Sequence, residues 1–312
     1  MEKDIGTNLL KGNAPNLSAA SIERIDLAAL HNGNIVLNVL RLDKIHPVIS
    51  GNKWFKLKYY LQDAIANKHD HIITFGGAYS NHIVATAYAA NAAGLKSTGI
   101  IRGEKSNTLS PALKDAMDFG MQLEFISREN YLKKNEPEWI SALLKKNPGA
   151  YIIPAGGEGE AGVKGAAEIL NLVDKTAYTH LICAVGTGTT LKGMAASSLP
   201  DQQVIGIPVL KGFENWLEGQ YGIDDAAKQR IQLLHNYHFG GYAKNNASLF
   251  AFMNEWYAAT CIPLDFVYTG KLLFAVSDLI KNNYFAKDSR LLVVHSGGLQ
   301  GNRSLPEQTL IF

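Results

Sequence analysis

The sequence predicts an α/β protein in which mostly parallel sheets are flanked by helices. Three features support this prediction: short apolar runs, glycine turns directly after several of them, and segments of helical character after the turns. Strands that are covered on both faces lose the polar alternation of half-exposed strands, so such runs are typical of buried parallel strands. The repeated order of strand, glycine turn and helix indicates a doubly wound architecture.

Strands and helices can be assigned in order along the chain. A partly alternating run at 35–42 comes first, and the apolar runs follow at 72–75, 98–101, 123–126, 151–153, 181–185, 204–207 and 291–294. Helices are predicted at 81–93, closed by Gly94, at 111–119, closed by Gly120, and within the polar stretch 133–148. Glycine directly after the last turn is a common stop signal of a helix.

Charge and composition exclude several classes of function. Lys and Arg number 30 against 28 Asp and Glu in 312 residues, a net charge of +2, so no nucleic-acid partner is expected. No signal-peptide core and no run of roughly 20 apolar residues is present, which predicts a cytoplasmic protein without a membrane partner. Cys183 and Cys261 lack zinc-ligand spacing and are too few for a disulfide framework, so no metal is predicted.

A glycine loop after the predicted strand 181–185 fits a phosphate group. The loop consists of Gly186, Thr187, Gly188, Thr189 and Thr190. Glycines let the backbone approach an anion closely, and N–H groups and threonine hydroxyls supply donors. The spacing matches neither the dinucleotide fingerprint nor the P-loop motif, which argues against a nucleotide-dependent oxidoreductase. A structural turn capped by threonines is the alternative.

Two lysines, Lys53 and Lys56, follow Gly51 at the start of a predicted helix. Lysines in such a place most often form a solvated basic face. However, cations at a helix N-terminus oppose the helix dipole, so Lys53 is placed unfavourably unless an anion or a reaction uses it. A lysine of lowered pKa can form a Schiff base with an aldehyde.

Further polar candidates follow the other glycine turns or lie near the carboxyl terminus. They are Ser80, Asn81, His82, Tyr242, Tyr268, Thr269 and Ser296. Each has a plain structural alternative, since Ser and Asn commonly cap helices and tyrosines commonly pack in cores. Taken separately, none of them indicates a reaction.

In their order along the chain, these groups resemble the fold-type II pyridoxal-phosphate enzymes, specifically the family of 1-aminocyclopropane-1-carboxylate deaminase and D-cysteine desulfhydrase. The resemblance spans about residues 35 to 301. It is carried by Gly51-Asn52-Lys53 with Lys56, Ser80-Asn81-His82, the loop 186–190, Tyr242, the segment 267–271 and the segment 295–298. The family implies a two-domain fold in which each domain is a mostly parallel sheet flanked by helices.

The resemblance implies a role for each candidate residue. Lys53 would carry pyridoxal 5′-phosphate as a Schiff base and move a proton, while Lys56 and the loop 186–190 would hold its phosphate. Ser80 would lie beside the α-carbon of a small amino-acid substrate. Tyr242 and Tyr268 would flank the reacting centre. The remaining contacts would come from Asn81 and Ser296 to the cofactor, and from Asn81, His82 and Thr269 to the substrate.

Two positions favour one activity within the family. The deaminases carry a glutamate where this chain has Thr269, and the desulfhydrase-like members carry a hydroxyl residue at the position of Ser296. The resemblance therefore implies β-elimination of D-cysteine to pyruvate, ammonia and hydrogen sulfide. Opening of 1-aminocyclopropane-1-carboxylate to 2-oxobutanoate and ammonia is one alternative. A non-catalytic, ligand-binding relative of the family is the other.

The resemblance also implies an organisation of the whole molecule. A large cofactor-binding domain would comprise residues 1–52 and 158–312, and a smaller inserted α/β domain would comprise 53–157. The cofactor would lie between them, and closure of the two domains would exclude water. The family further implies a homodimer.

Overall fold

A computed structural model describes residues 9–26, 34–212, 216 and 223–312. Two separate sheets form within these residues, one of six strands and one of four. The strands of the larger sheet are β1 (Ser21–Ile25), β2 (Val36–Arg41), β7 (His180–Val185), β8 (Gln203–Pro208), β9 (Ile231–Leu233) and β10 (Arg290–His295). Those of the smaller sheet are β3 (His71–Gly76), β4 (Lys96–Arg102), β5 (Gln122–Ile126) and β6 (Ala150–Ile153).

Parallel pairing dominates both sheets. The larger sheet has the order β1-β2-β10-β7-β8-β9, and only its edge pair β1 and β2 is antiparallel. The smaller sheet has the order β5-β4-β3-β6 and is parallel throughout. Because parallel neighbours end at the same edge of a sheet, the turns after β7 and β10 lie side by side and can contribute to one site.

Helices cover the sheets. They are α1 (Asn52–Ala66), α2 (Asn81–Ala93), α3 (Pro111–Asp118), α4 (Arg128–Leu132), α5 (Pro137–Lys146), α6 (Glu160–Ala167), α7 (Thr189–Ser197), α8 (Asp225–Gln229), α9 (Ala247–Thr260) and α10 (Thr269–Lys281). None of the helices in the described residues is long and apolar enough to cross a membrane.

The core explains why the central strands show no polar alternation. In β10, Leu292 and Val294 pack in one apolar cluster with residues of α1 and α7, while Leu291 and Val293 pack in another with residues of α9 and α10. All four side chains are at most 1 % exposed. Both faces of the sheet are therefore buried, as an uninterrupted apolar run requires.

The α/β prediction is confirmed, and most of its elements lie within a residue or two of their predicted bounds. Helix α2 begins after Ser80, whose hydroxyl accepts a hydrogen bond from the Ile83 N–H, and ends at Gly94 in the left-handed conformation. Helix α7 begins at Thr189, so the glycine loop runs directly into its first turn. Strands β1 and β9, together with α9 and α10, were not predicted.

Candidate active site

A cavity of about 380 Å³ opens at the carboxyl ends of the parallel strands, between elements of both sheets. Gly76 and Gly77 border it after β3, Gly186 after β7, and Ser296 after β10. A larger groove of about 770 Å³ lies near the carboxyl terminus and contains none of the predicted site residues. The smaller cavity is therefore the candidate active site, since it lies where ligands bind in open α/β sheets.

Lys53 is the second residue of α1 and lies on the floor of the cavity. Helix α1 can begin there because Gly51 has φ +66° and approaches the 296–297 turn so closely that a Cβ would lie 1.7 Å from the Ser296 carbonyl oxygen. Lys53 Nζ donates to Asn52 Oδ1 at 2.8 Å. Burial lowers the pKa of Lys53 to about 8, although the charge of Asp265 opposes the shift. A neutral amine suitable for attack on an aldehyde is thus available near neutral pH.

The glycine loop and Lys56 form an anion cradle on one side of the cavity. Lys56 Nζ lies 3.4 Å from Thr187 Oγ1, and Asn52 Nδ2 donates to Thr190 Oγ1 at 2.8 Å. Gly188 has φ +83° at the N-terminus of α7, where free N–H groups and the helix dipole attract an anion. Burial, and then the nearby charge of Lys53, hold the pKa of Lys56 well below its usual value. A bound anion would stabilise the protonated form of Lys56 and so reverse this lowering of its pKa.

His82 and Asn81 present unpaired polar atoms at the start of α2. His82 Nε2 lies 2.8 Å from Thr74 Oγ1, whose own hydroxyl donates to the Ile153 carbonyl, so Nε2 carries the hydrogen. Burial holds the pKa of His82 well below its usual value, so the ring is neutral. His82 Nδ1 and Asn81 Oδ1 are then buried acceptors without a partner in the described residues. Such atoms are costly unless a ligand satisfies them.

Two tyrosines lie opposite Lys53. The Tyr268 ring centroid is 5.9 Å from Lys53 Nζ and 6.2 Å from the Tyr242 ring centroid. The two phenols are close enough to affect each other's pKa, and burial raises the pKa of both. Each hydroxyl therefore keeps its proton at neutral pH and can donate it.

Two buried charges hold these tyrosines in place. The Asp265 carboxylate accepts from the N–H groups of the segment 267–269 at 2.8 to 2.9 Å and thereby fixes the backbone at Tyr268. Lys271 Nζ donates to the carbonyls of His238 and Gly241 at 2.9 and 2.8 Å, and so fixes the turn that leads into Tyr242. Both side chains are fully buried.

The structure brings most of the predicted residues together. The cavity is lined by Lys53, Lys56, Ser80, Asn81, His82, Gly186, Thr187, Gly188, Thr190, Tyr242, Tyr268 and Ser296. Thr189 and Thr269 do not line it. Thr189 Oγ1 lies 2.9 Å from Thr187 Oγ1 and supports the loop, while Thr269 is fully buried with its hydroxyl bonded to Asp265. The geometry thus gives no support to contact between Thr269 and a substrate.

Sequence reasoning missed several residues of the cavity and its support. Arg102, Tyr131 and Lys134 line its mouth, and Asp265 and Lys271 lie behind the tyrosines. Arg102 could have been found, because it ends β4, the neighbour of β3 in the parallel sheet. Nothing in the local sequence marks Tyr131 or Lys134.

Pyridoxal phosphate fits the groups present. Its aldehyde requires an amine of lowered pKa, its phosphate requires an anion cradle, and its ring substituents require polar partners such as the unpaired atoms of Asn81 and His82. These complementary features place the protein in the class of pyridoxal-phosphate enzymes. The model of the family described as "Pyridoxal-phosphate dependent enzyme" matches residues 22–297, and the chain belongs to this family.

Individual relatives agree with this assignment. The chain is 30% identical to a putative 1-aminocyclopropane-1-carboxylate deaminase of Pyrococcus abyssi, with 81% of each chain covered. It is 28% identical to the mitochondrial bifunctional D-cysteine desulfhydrase/1-aminocyclopropane-1-carboxylate deaminase of Arabidopsis thaliana, covering 90% of this chain and 76% of the relative. A crystal structure of an ACC deaminase homologue superimposes with TM-score 0.78 and 25% identity over 97% of both chains. The predictions of family, fold type, enzyme class and cofactor are confirmed.

Proposed function

We propose that this enzyme removes the β-substituent and the amino group of a small amino acid, and that D-cysteine is the substrate it favours. The overall reaction is D-cysteine plus water to pyruvate, ammonia and hydrogen sulfide. The observation that carries the choice is the absence of any Asp or Glu among the described residues that line the cavity. Without a carboxylate beside the ring nitrogen, the cofactor is a weaker electron sink, which suits loss of a good leaving group better than opening of a cyclopropane ring.

The residues of the cavity divide the work of binding and proton transfer. Pyridoxal phosphate, when bound, supplies an electron sink for the α-carbon of the substrate. Lys53 would bind the cofactor covalently, and its amine would take the α-proton of the substrate. Lys56, Thr187 and Thr190 would hold the phosphate, with the loop N–H groups.

The substrate would lie between the start of α2 and the tyrosines. Ser80 and Asn81 would bind its carboxylate and fix the α-carbon above Lys53. Tyr268 and Tyr242 retain their protons at neutral pH, because burial raises the pKa of both. Their hydroxyls would therefore protonate the departing sulfur, and the water-accessible side of Tyr242 would restore the proton.

Ring opening of 1-aminocyclopropane-1-carboxylate is the second candidate. It is favoured by the name of the Pyrococcus abyssi relative and by the second activity in the name of the Arabidopsis thaliana relative. The side chain at position 269 argues against ring opening, because the Thr269 hydroxyl is bonded to Asp265 rather than exposed to the cavity.

Product analysis separates the two activities. The holoenzyme is incubated separately with D-cysteine, L-cysteine and 1-aminocyclopropane-1-carboxylate, and pyruvate, 2-oxobutanoate and sulfide are quantified. We expect pyruvate and sulfide in equal amounts from D-cysteine, with little 2-oxobutanoate. Rapid formation of 2-oxobutanoate with no turnover of either cysteine would overturn the proposal.

The organisation of the molecule belongs to the same proposal. A small domain at 53–157 is supported by the strands β3 to β6, which all lie between residues 71 and 153, while the strands of the larger sheet lie outside this range. Limited proteolysis should cut near these boundaries. We also propose a cytoplasmic homodimer on the family resemblance, and light scattering should give about twice the chain mass of 34.0 kDa.

A further inference from the structure

The mouth of the cavity holds two cations that the proposed reaction does not use. Arg102 ends β4 and Lys134 lies in the short 3₁₀ helix Lys133–Asn135. The Arg102 guanidinium carbon is 5.9 Å and Lys134 Nζ is 5.2 Å from the centroid of the Tyr131 ring, so the two cations share one buried aromatic side chain. Neither forms an ion pair with any residue that the structure describes.

The charges around the cavity do not balance. Four basic side chains line it, namely Lys53, Lys56, Arg102 and Lys134, whereas its described lining contains no carboxylate. The cofactor would occupy Lys53 covalently and Lys56 through its phosphate, and the substrate carboxylate would meet the start of α2. Arg102 and Lys134 remain without an anion. A cleft lined by one sign of charge attracts a ligand of the opposite sign.

The cations lie on the route from the reacting lysine to solvent. Lys53 lies beneath Tyr268, the Tyr268 ring packs edge to face against the Tyr242 ring, and Tyr242 is 37% exposed. Arg102 and Tyr242 line the same cavity, and the positive charge of Arg102 opposes the rise of the pKa of Tyr242. A β-substituent that extends from the α-carbon along the tyrosines therefore approaches Arg102.

We propose that Arg102 and Lys134 bind an anionic group on Cβ of the substrate, so that the enzyme accepts, besides D-cysteine, β-substituted alanines with a sulfo or phosphoryl oxyanion as leaving group. The inference rests on the proposed β-elimination and specifies its substrate class. The thiol of D-cysteine meets this requirement only when it is ionised. Arginine suits the role because its planar donors match the oxygens of such groups.

The elimination balances without any further reactant than water. For serine O-sulfate, the α-proton goes to Lys53, and the Cβ–O bond breaks with the electron pair leaving on sulfate. The enamine that remains takes a proton at Cβ and is hydrolysed to pyruvate and ammonia. One molecule of serine O-sulfate and one of water therefore give pyruvate, ammonia and sulfate, with no net oxidation or reduction.

The test compares an anionic with a neutral leaving group. Both enantiomers of serine O-sulfate and of β-chloroalanine are offered to the wild-type holoenzyme and to Arg102→Met and Lys134→Met, with Lys133→Met as the matched control. Lys133 adjoins Lys134 but does not line the cavity. We expect the ratio of kcat/KM for serine O-sulfate to kcat/KM for β-chloroalanine to fall about tenfold or more in each cavity variant, through a raised KM for the sulfate ester, which corresponds to ~1.4 kcal/mol. The ratio should be unchanged in Lys133→Met.

Calorimetry of serine O-sulfate binding provides a readout that does not need turnover. Affinity should fall about tenfold in Arg102→Met and in Lys134→Met. If the ratio and the affinity match those of the wild type in both variants, the anion site is refuted, even when β-chloroalanine is turned over. If no substrate yields keto acid while binding still depends on Arg102 and Lys134, the β-elimination fails but the anion site stands.

Discussion

Lys271 offers a sharp test of how the fold positions the reacting groups. Its ammonium is fully buried and donates to the carbonyls of His238 and Gly241, at 2.9 and 2.8 Å. Lys271→Met keeps the length and most of the volume of the side chain but removes both donors. Two carbonyls then lose their partner, and the buried carboxylate of Asp265 loses a nearby positive charge.

The size of the effect follows from these contacts. A hydrogen bond from a charged donor contributes about 1.5–3 kcal/mol, and loss of one member of a buried charge arrangement costs about 3–5 kcal/mol. At roughly 2–4 °C per kcal/mol for a chain of this order of size, the midpoint of thermal unfolding should fall by roughly 6–20 °C. Because the freed turn carries Tyr242, kcat should also fall at temperatures where the variant is fully folded.

Calorimetry and steady-state kinetics on the holoenzyme measure both effects. Lys281→Met is the matched control, since Lys281 is exposed in the last turn of α10. A change below about 1 kcal/mol with unaltered kcat would refute the reasoning, because it would mean that neither the two hydrogen bonds nor the position of Tyr242 depends on the ammonium.

Three further predictions follow from the site. Loading of cofactor-free enzyme with pyridoxal phosphate should speed up as pH rises through about 8, because burial lowers the pKa of Lys53 to about 8 and only the neutral amine reacts. Growth of the visible absorption band of the bound cofactor measures the loading rate. A rate that still rises beyond pH 10 would contradict the prediction. Gly51→Ala should abolish cofactor loading in spectroscopic titration, since a Cβ would lie 1.7 Å from the Ser296 carbonyl oxygen. Gly77→Ala, with open space around the added Cβ, should load normally. Equal loading of the two variants would be inconsistent with the close approach at Gly51. Ser80→Ala should lower kcat/KM at least tenfold. It should lower the free energy of unfolding in denaturant by only about 0.5–2 kcal/mol, because the 3.4 Å bond from the Ile83 N–H to the Ser80 hydroxyl is a helix cap. A loss of stability without loss of activity would show that Ser80 is only a cap.

The fold was largely predictable because its signals are local. The apolar run at 291–294 is buried on both faces, so it lacks any polar position that could blur its assignment. Helix α2 carries its own start and stop signals in Ser80 and Gly94. By contrast, β9 has three residues and β1 alternates in exposure, and only their pairing with β8 and β2 at the two edges of the sheet makes them strands.

The site was predictable where glycine turns mark it and not where distant elements meet. Lys53, Ser80 and the loop 186–190 each follow a glycine at the start of a helix. In the sequence, nothing distinguishes Arg102 and Lys134 from ordinary surface cations. Only the packing of α4 beside β4 brings them to one cavity. The family resemblance implied that Thr269 contacts the substrate, but the bond to Asp265 turns its hydroxyl into the core.

The central claim is that Lys53 is the residue that binds pyridoxal phosphate. Reduction of the holoenzyme with borohydride fixes the cofactor to its lysine, and mass spectrometry of proteolytic peptides then identifies the position. The account predicts that the added mass lies on Lys53, with none on the nearby buried Lys56 or on Lys271. Labelling of either of those lysines, with Lys53 unmodified, would contradict it.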